Sequence, residues 1–164
     1  MDFTIDQHLA GPPAAVQALL LDPAFVAARV DLPKLGGAEL LDAARDGDRA
    51  RQRIRLRFTG DLAPAVTAVI DRDRLTWVDE ATYDLASNTA AHRIQPDNYA
   101  DRLSCSYTET VQTEGDGSLR QLRGSVRVKM LLVGGKVEGA IVSGLRDYAA
   151  AEATLIDDWL ARTR

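Results

Sequence analysis

The last quarter of the chain constrains its fold most strongly. Beyond Gly134-Gly135, Val137, Ile141, Leu145, Tyr148, Leu155, Ile156 and Trp159 recur at spacings of three, four or seven, with Glu138, Arg146, Asp147 and Asp157 elsewhere. That is the period of one amphipathic helix. Running to about residue 161, it would span roughly 25 residues and nearly 40 Å. Each apolar side chain on the stripe gains about 1.5–3 kcal/mol by leaving water, before the entropy of ordering is subtracted. A stripe of this length therefore demands a broad apolar partner surface.

The rest of the chain predicts that surface as a sheet. Phe3, Ile5, Gln7 and Leu9 alternate with polar neighbours, the period of a half-buried strand. Gly11-Pro12-Pro13 ends it and opens a short helix over 14–21; Asp22-Pro23, an N-cap and a first-turn proline, opens a second over 23–29. A strand over 39–44 turns at Asp46-Gly47 into a return strand over 49–58. There Ala50, Gln52, Ile54, Leu56 and Phe58 face one way and five arginines, Arg49 to Arg57, the other. Further strands are expected over 65–70, 75–85, 89–94, 102–113 and 119–130, the last two joined at Gly115-Asp116-Gly117. The fold class is α+β: a curved antiparallel sheet of six to eight strands, two short helices and a long C-terminal helix, forming one domain over 1–164.

A bent sheet packed against a single helix is not filled evenly by side chains, and the remaining space is an apolar pocket. From the strands, Ile54, Leu56, Phe58, Trp77 and Tyr83 are expected to line it. Tyr107, Val126 and Val128 join them, and Ile141, Leu145 and Tyr148 face them from the helix. Gly144 lies near that helix face, where a glycine costs about 1 kcal/mol relative to alanine, so it is expected to leave room for a neighbour or ligand.

Polar residues on the same faces are the catalytic candidates. If Trp77 points inward, alternation brings Asp79 with it; Glu109 shares the face of Tyr107, and His92 that of Ile94. A carboxylate in an apolar cavity is expected to have a raised pKa and to serve as an acid or base. The competing expectation is a bulge or strand end where the carboxylate reaches water.

Other chemistry has little support. One cysteine, Cys105, permits no intrachain disulfide, and with two distant histidines it makes no zinc site. Gly134-Gly135-Lys136 lacks the remaining residues of a phosphate loop, and Ser143 lacks a nucleophile-elbow setting. The net charge of −4 argues against a surface built mainly for nucleic acid or anionic lipid. The arginine ladder is expected to be a solvated face with weak ion pairs, because exposed aromatics for base stacking are missing beside it. The N-terminus carries Asp2 and Asp6 rather than a basic segment before an apolar run, and no apolar stretch approaches the roughly 20 residues that span a bilayer. A cytoplasmic location is expected, with no stable membrane insertion.

The order of elements resembles the helix-grip fold of the START/Bet v 1-like superfamily, which includes the polyketide cyclase and lipid-transport proteins, over essentially the whole chain. Leu75-Thr76-Trp77-Val78-Asp79-Glu80, Val126-Arg127-Val128-Lys129 and Leu132-Val133-Gly134-Gly135-Lys136-Val137-Glu138 resemble a bacterial domain-of-unknown-function branch. The resemblance implies a pocket for sterols, lipids, aromatic polyketides or plant hormones between sheet and helix; no cofactor is expected. The leading expectation is therefore binding of a small hydrophobic or aromatic molecule. A cyclase or aromatase using an inward polar group is the alternative, and an interaction module with a filled interior is the third.

Overall fold

The computed structural model describes residues 1–62, 64–68 and 70–162. Seven strands form one antiparallel sheet in the order β1-β7-β6-β5-β4-β3-β2. They are β1 (Asp2–Leu9), β2 (Leu35–Asp46), β3 (Arg49–Phe58), β4 (Thr76–Asp84), β5 (Thr89–Pro96), β6 (Leu103–Glu114) and β7 (Gly117–Val128). Helices α1 (Pro13–Leu20) and α2 (Pro23–Ala28) follow β1, a single turn α3 (Pro64–Thr67) lies between β3 and β4, and the long helix α4 (Gly134–Arg162) follows β7. This is the helix-grip architecture.

Local chemistry explains the joints. Asp22 caps α2 by accepting from the Ala24 backbone N–H. Gly47 and Gly115 take the left-handed backbone, φ +56° and +57°, that two tight hairpins require. β2 begins earlier than the alternation implies, at Leu35, because register shifts between Gly36 and Glu39 and between Leu40 and Asp42 interrupt its period.

The strand expected over 65–70 is corrected. Its first part is the helical turn α3, and residue 69 lies outside the described residues. Pro64 suits a first turn, and the Ile70 N–H donates to the Val66 carbonyl at 2.9 Å. Val66 and Ile70, four apart, both pack on Val137 of α4, so the apolar run follows a helical spacing.

α4 grips the sheet unevenly. Toward its C-terminus, Ile156 and Leu160 close on Leu9, Val16, Leu20, Phe25 and Val111 in a dense cluster. Toward its N-terminus a cavity separates it from the strands. Gly144 does not reserve that room: a Cβ there would meet Lys34 and Phe58 at 3.7 and 3.8 Å, ordinary contact distances. On the convex face, Arg49, Arg51, Arg53 and Arg55 pair with Asp84, Asp42, Glu80 and Asp97 at 3.0–3.5 Å. Among the described residues, no single helix is long and apolar enough to cross a membrane.

Candidate functional site: a cavity closed by a buried charge chain

Cross-strand register builds the concave face in rows. Ile54, Asp79, Ile94, Cys105 and Val126 form one row across β3 to β7; Gln52, Ala81, His92, Tyr107 and Gly124 form the next. Directly paired residues share a face, so these two adjacent rows bring an acid from one beside an imidazole and a phenol from the other.

The cavity above these rows holds about 150 Å³. Leu56, Phe58, Trp77, Tyr107, Val126 and Val128 line it from the sheet, and Ile141, Leu145 and Tyr148 from α4. Leu62, Val66 and Ile70 close it from the β3–β4 connection. Ile54 lies apart from it, packed under Val26 of α2, and so does Tyr83, which sits among Ala50, Ala81 and Ala90. Of the polar candidates, Asp79 reaches the cavity, while His92 and Glu109 lie behind its wall.

Asp79 belongs to a continuous buried chain of charge. His92 Nδ1 lies 3.0 and 3.2 Å from the two Asp79 oxygens, and the Tyr107 hydroxyl donates to Asp79 Oδ2 at 2.8 Å. His92 and Tyr107 stack with centroids 4.2 Å apart. On its other side His92 Nε2 is 3.6 Å from Glu109 Oε2. Arg120 donates to Glu109 through Nη2 and to Glu152 through Nη1, each at 2.7 Å, and Nη1 also donates to Gln7 at 2.8 Å. Arg29 completes the chain, its Nε donating to the Tyr148 hydroxyl at 2.7 Å and lying 3.2 Å from Glu152 Oε1.

Three carboxylates, Asp79, Glu109 and Glu152, thus face two guanidiniums, Arg29 and Arg120. The cluster is neutral only with His92 protonated. Burial alone would lower the His92 pKa, but the Asp79 charge and hydrogen bond outweigh it and hold the imidazolium up to about 9. Burial would likewise raise both acids, yet His92 holds Asp79 below its usual value, and Arg120 with His92 brings Glu109 down to about 2. The expected raised carboxylate pKa is therefore reversed, because each acid is desolvated together with a cation rather than alone. Asp79 presents an ionised hydrogen-bond acceptor to the cavity. Cys105, also on the wall, is a desolvated thiol pushed up to about 12.

Arg29, Arg120 and Glu152 escaped the sequence reading, although each interrupts an apolar phase. Glu152 sits four residues from both Tyr148 and Ile156 on the α4 stripe, Arg120 shares the face of Leu122, and Arg29 follows Phe25 by one helical turn. Three polar residues of opposite charge on buried faces are the signal that could have found the chain. Gly124 marks it too: a Cβ there would overlap that of Tyr107, so only glycine lets the phenol ring settle over β7.

A family model described as "Protein of unknown function (DUF2505)" matches residues 4–160. No curated protein matches the sequence. Among solved structures, TTHA0849 from Thermus thermophilus superposes with a TM-score of 0.68 at 15% identity, covering 99% of each chain. The Zhui aromatase/cyclase from Streptomyces sp. R1128 gives 0.66 at 17% identity, covering 100% of this chain and 96% of that one. Norcoclaurine synthase from Thalictrum flavum, in complex with dopamine and hydroxybenzaldehyde, gives 0.67 at 14% identity, covering 100% and 88%. These likenesses establish the Bet v 1-like, helix-grip fold.

Proposed function

The chain belongs to the DUF2505 family, and we propose that it binds a small hydrophobic molecule, with room for a single ring, in the cavity between sheet and α4. The observation that carries this reading is an apolar chamber with one ionised acceptor, Asp79, on its wall. A cavity of about 150 Å³ with apolar walls matches the size that admits benzene in an engineered protein core. A ring bearing one hydroxyl or amine would place its apolar body against Leu56, Trp77 and Ile141 and donate to Asp79. The similar fold of norcoclaurine synthase, solved with two single-ring aromatics, supports the size class.

Titration calorimetry with benzene and phenol tests the reading. Phenol binds more tightly than benzene, Asp79→Asn reduces that preference, and Ile141→Trp fills the space and abolishes both while thermal unfolding shows the fold intact. Equal binding of phenol to wild type and Ile141→Trp, or none to wild type, sinks it.

A second reading, a cyclase- or aromatase-type enzyme, draws on Tyr107 and Tyr148 reaching the same cavity beside Asp79. Mass spectrometry after incubation with phenolic polyketides separates turnover from retention.

A further inference from the structure

The sheet has a slot beside the cavity. The β5–β6 ladder ends at the pair Ile94 and Cys105, although both strands continue. β5 stays paired with β4 through Gln95 and Pro96, and β6 is paired with β7 from Leu103 and Ser104 onward. Two residues on each strand therefore diverge from one another while each holds its outer neighbour. Pro96, with no backbone N–H, suits the end of a ladder.

Two spaces flank this stretch and share part of their walls. On the convex side lies a depression of about 540 Å³, formed where small residues, Ser104, Ser106, Ser125 and Ala100, sit among longer ones. Ile94, Pro96, Leu103 and Cys105 line this depression and the inner cavity alike. Residues whose neighbours in sequence face outward are thus reachable from both sides of the sheet.

The outer depression also has its own polarity. Arg93 stands at its edge in register with Ser106. Arg49, Arg51, Arg53 and Arg55 on the same face each have a carboxylate partner, whereas Arg93 makes no ion pair among the described residues. Three serine hydroxyls and a guanidinium form a donor-rich surface.

We infer that the ligand is an amphipathic acid whose ring occupies the inner cavity and whose chain crosses the β5–β6 slot to place an anionic group against Arg93 and Ser106. This rests on the cavity-binding reading and deepens it by naming the substrate class. Facing sheets pack about 10 Å apart, so the middles of the two side-chain layers flanking one sheet are separated by roughly that distance. A spacer of several methylenes spans it; a single methylene does not.

The test uses phenylacetate, phenylhexanoate and the neutral phenylhexanol, with phenol as the ring-only control, in titration calorimetry on the full chain. Phenylhexanoate binds at least about tenfold more tightly than phenylacetate or phenylhexanol. Arg93→Gln brings it down to the affinity of phenylhexanol, and Ser106→Leu, which obstructs the depression, removes the gain from the chain. Both residues are on the convex face, and phenol binding is unchanged in both variants. If phenylhexanoate gains nothing over phenylacetate, or keeps its gain in both variants, the slot assignment is overturned while phenol binding preserves the cavity reading. If phenol fails to bind wild type, the cavity reading and this inference fall together.

Discussion

Raising the pH from about 6 to about 10 removes the proton that balances the buried cluster, and the stability of the protein should record its loss. His92 has an ordinary pKa of 6.5 when unfolded and about 9 in the fold. A raised folded-state pKa means that the contribution is fully present below 6.5 and disappears as the pH climbs through about 9. Between those values the unfolded chain has released a proton that the native state still holds, so folding must take one up. The interval corresponds to roughly 3 kcal/mol, a large share of the 5–15 kcal/mol typical of a domain. Guanidinium unfolding across this range, in wild type and His92→Gln, reads the effect, since the exposed titrating groups are common to both. The stability advantage of wild type over the variant should shrink by about that amount between pH 6.5 and 9, and the His92 ring protons should titrate near 9 in NMR spectra. An advantage independent of pH, or titration near 6.5, would refute the charge balance of Asp79, Glu109 and Glu152 against Arg29, Arg120 and His92.

Other expectations follow from the same geometry. Arg120→Met removes the cation shared by two fully buried carboxylates and should cost about 3–5 kcal/mol in urea unfolding, while the combined Arg120→Met, Glu109→Leu variant, which keeps Asp79 and Glu152 balanced by His92 and Arg29, should recover most of it. Gly124→Ala drives a methyl group into the Ser106 carbonyl oxygen and should destabilise by about 1–3 kcal/mol, with a loss of phenol affinity as Tyr107 is displaced. Gly144→Ala meets only ordinary contacts and should raise stability by up to about 1 kcal/mol, read as a higher thermal midpoint.

Period and punctuation made the scaffold legible before any coordinates. A two-residue repeat ending at Asp46-Gly47 and at Gly115-Asp116-Gly117, followed by the three-and-four repeat of α4, is local chemistry: steric preference and side-chain direction act over a few residues. The same logic misleads at α3, where Val66 and Ile70 suit a strand by composition, although their spacing of four also suits a helical turn facing Val137. Short apolar runs do not distinguish the two periods.

The charge chain could not be reached that way. Arg29, His92, Arg120 and Glu152 are far apart along the chain, and whether each is a solvated charge or a buried partner depends on β5, β6 and β7 being neighbours and on α4 crossing them. Alternation could bring Asp79 onto the concave face, but its ionisation depends on the cation beside it, which only packing supplies. Likewise Pro96 marks where a ladder can end, but only the tertiary structure shows that β5 keeps β4 and β6 keeps β7 beyond that point. Local sequence sets which face a side chain takes; energies that vary with distance through a low-dielectric interior decide what that side chain becomes.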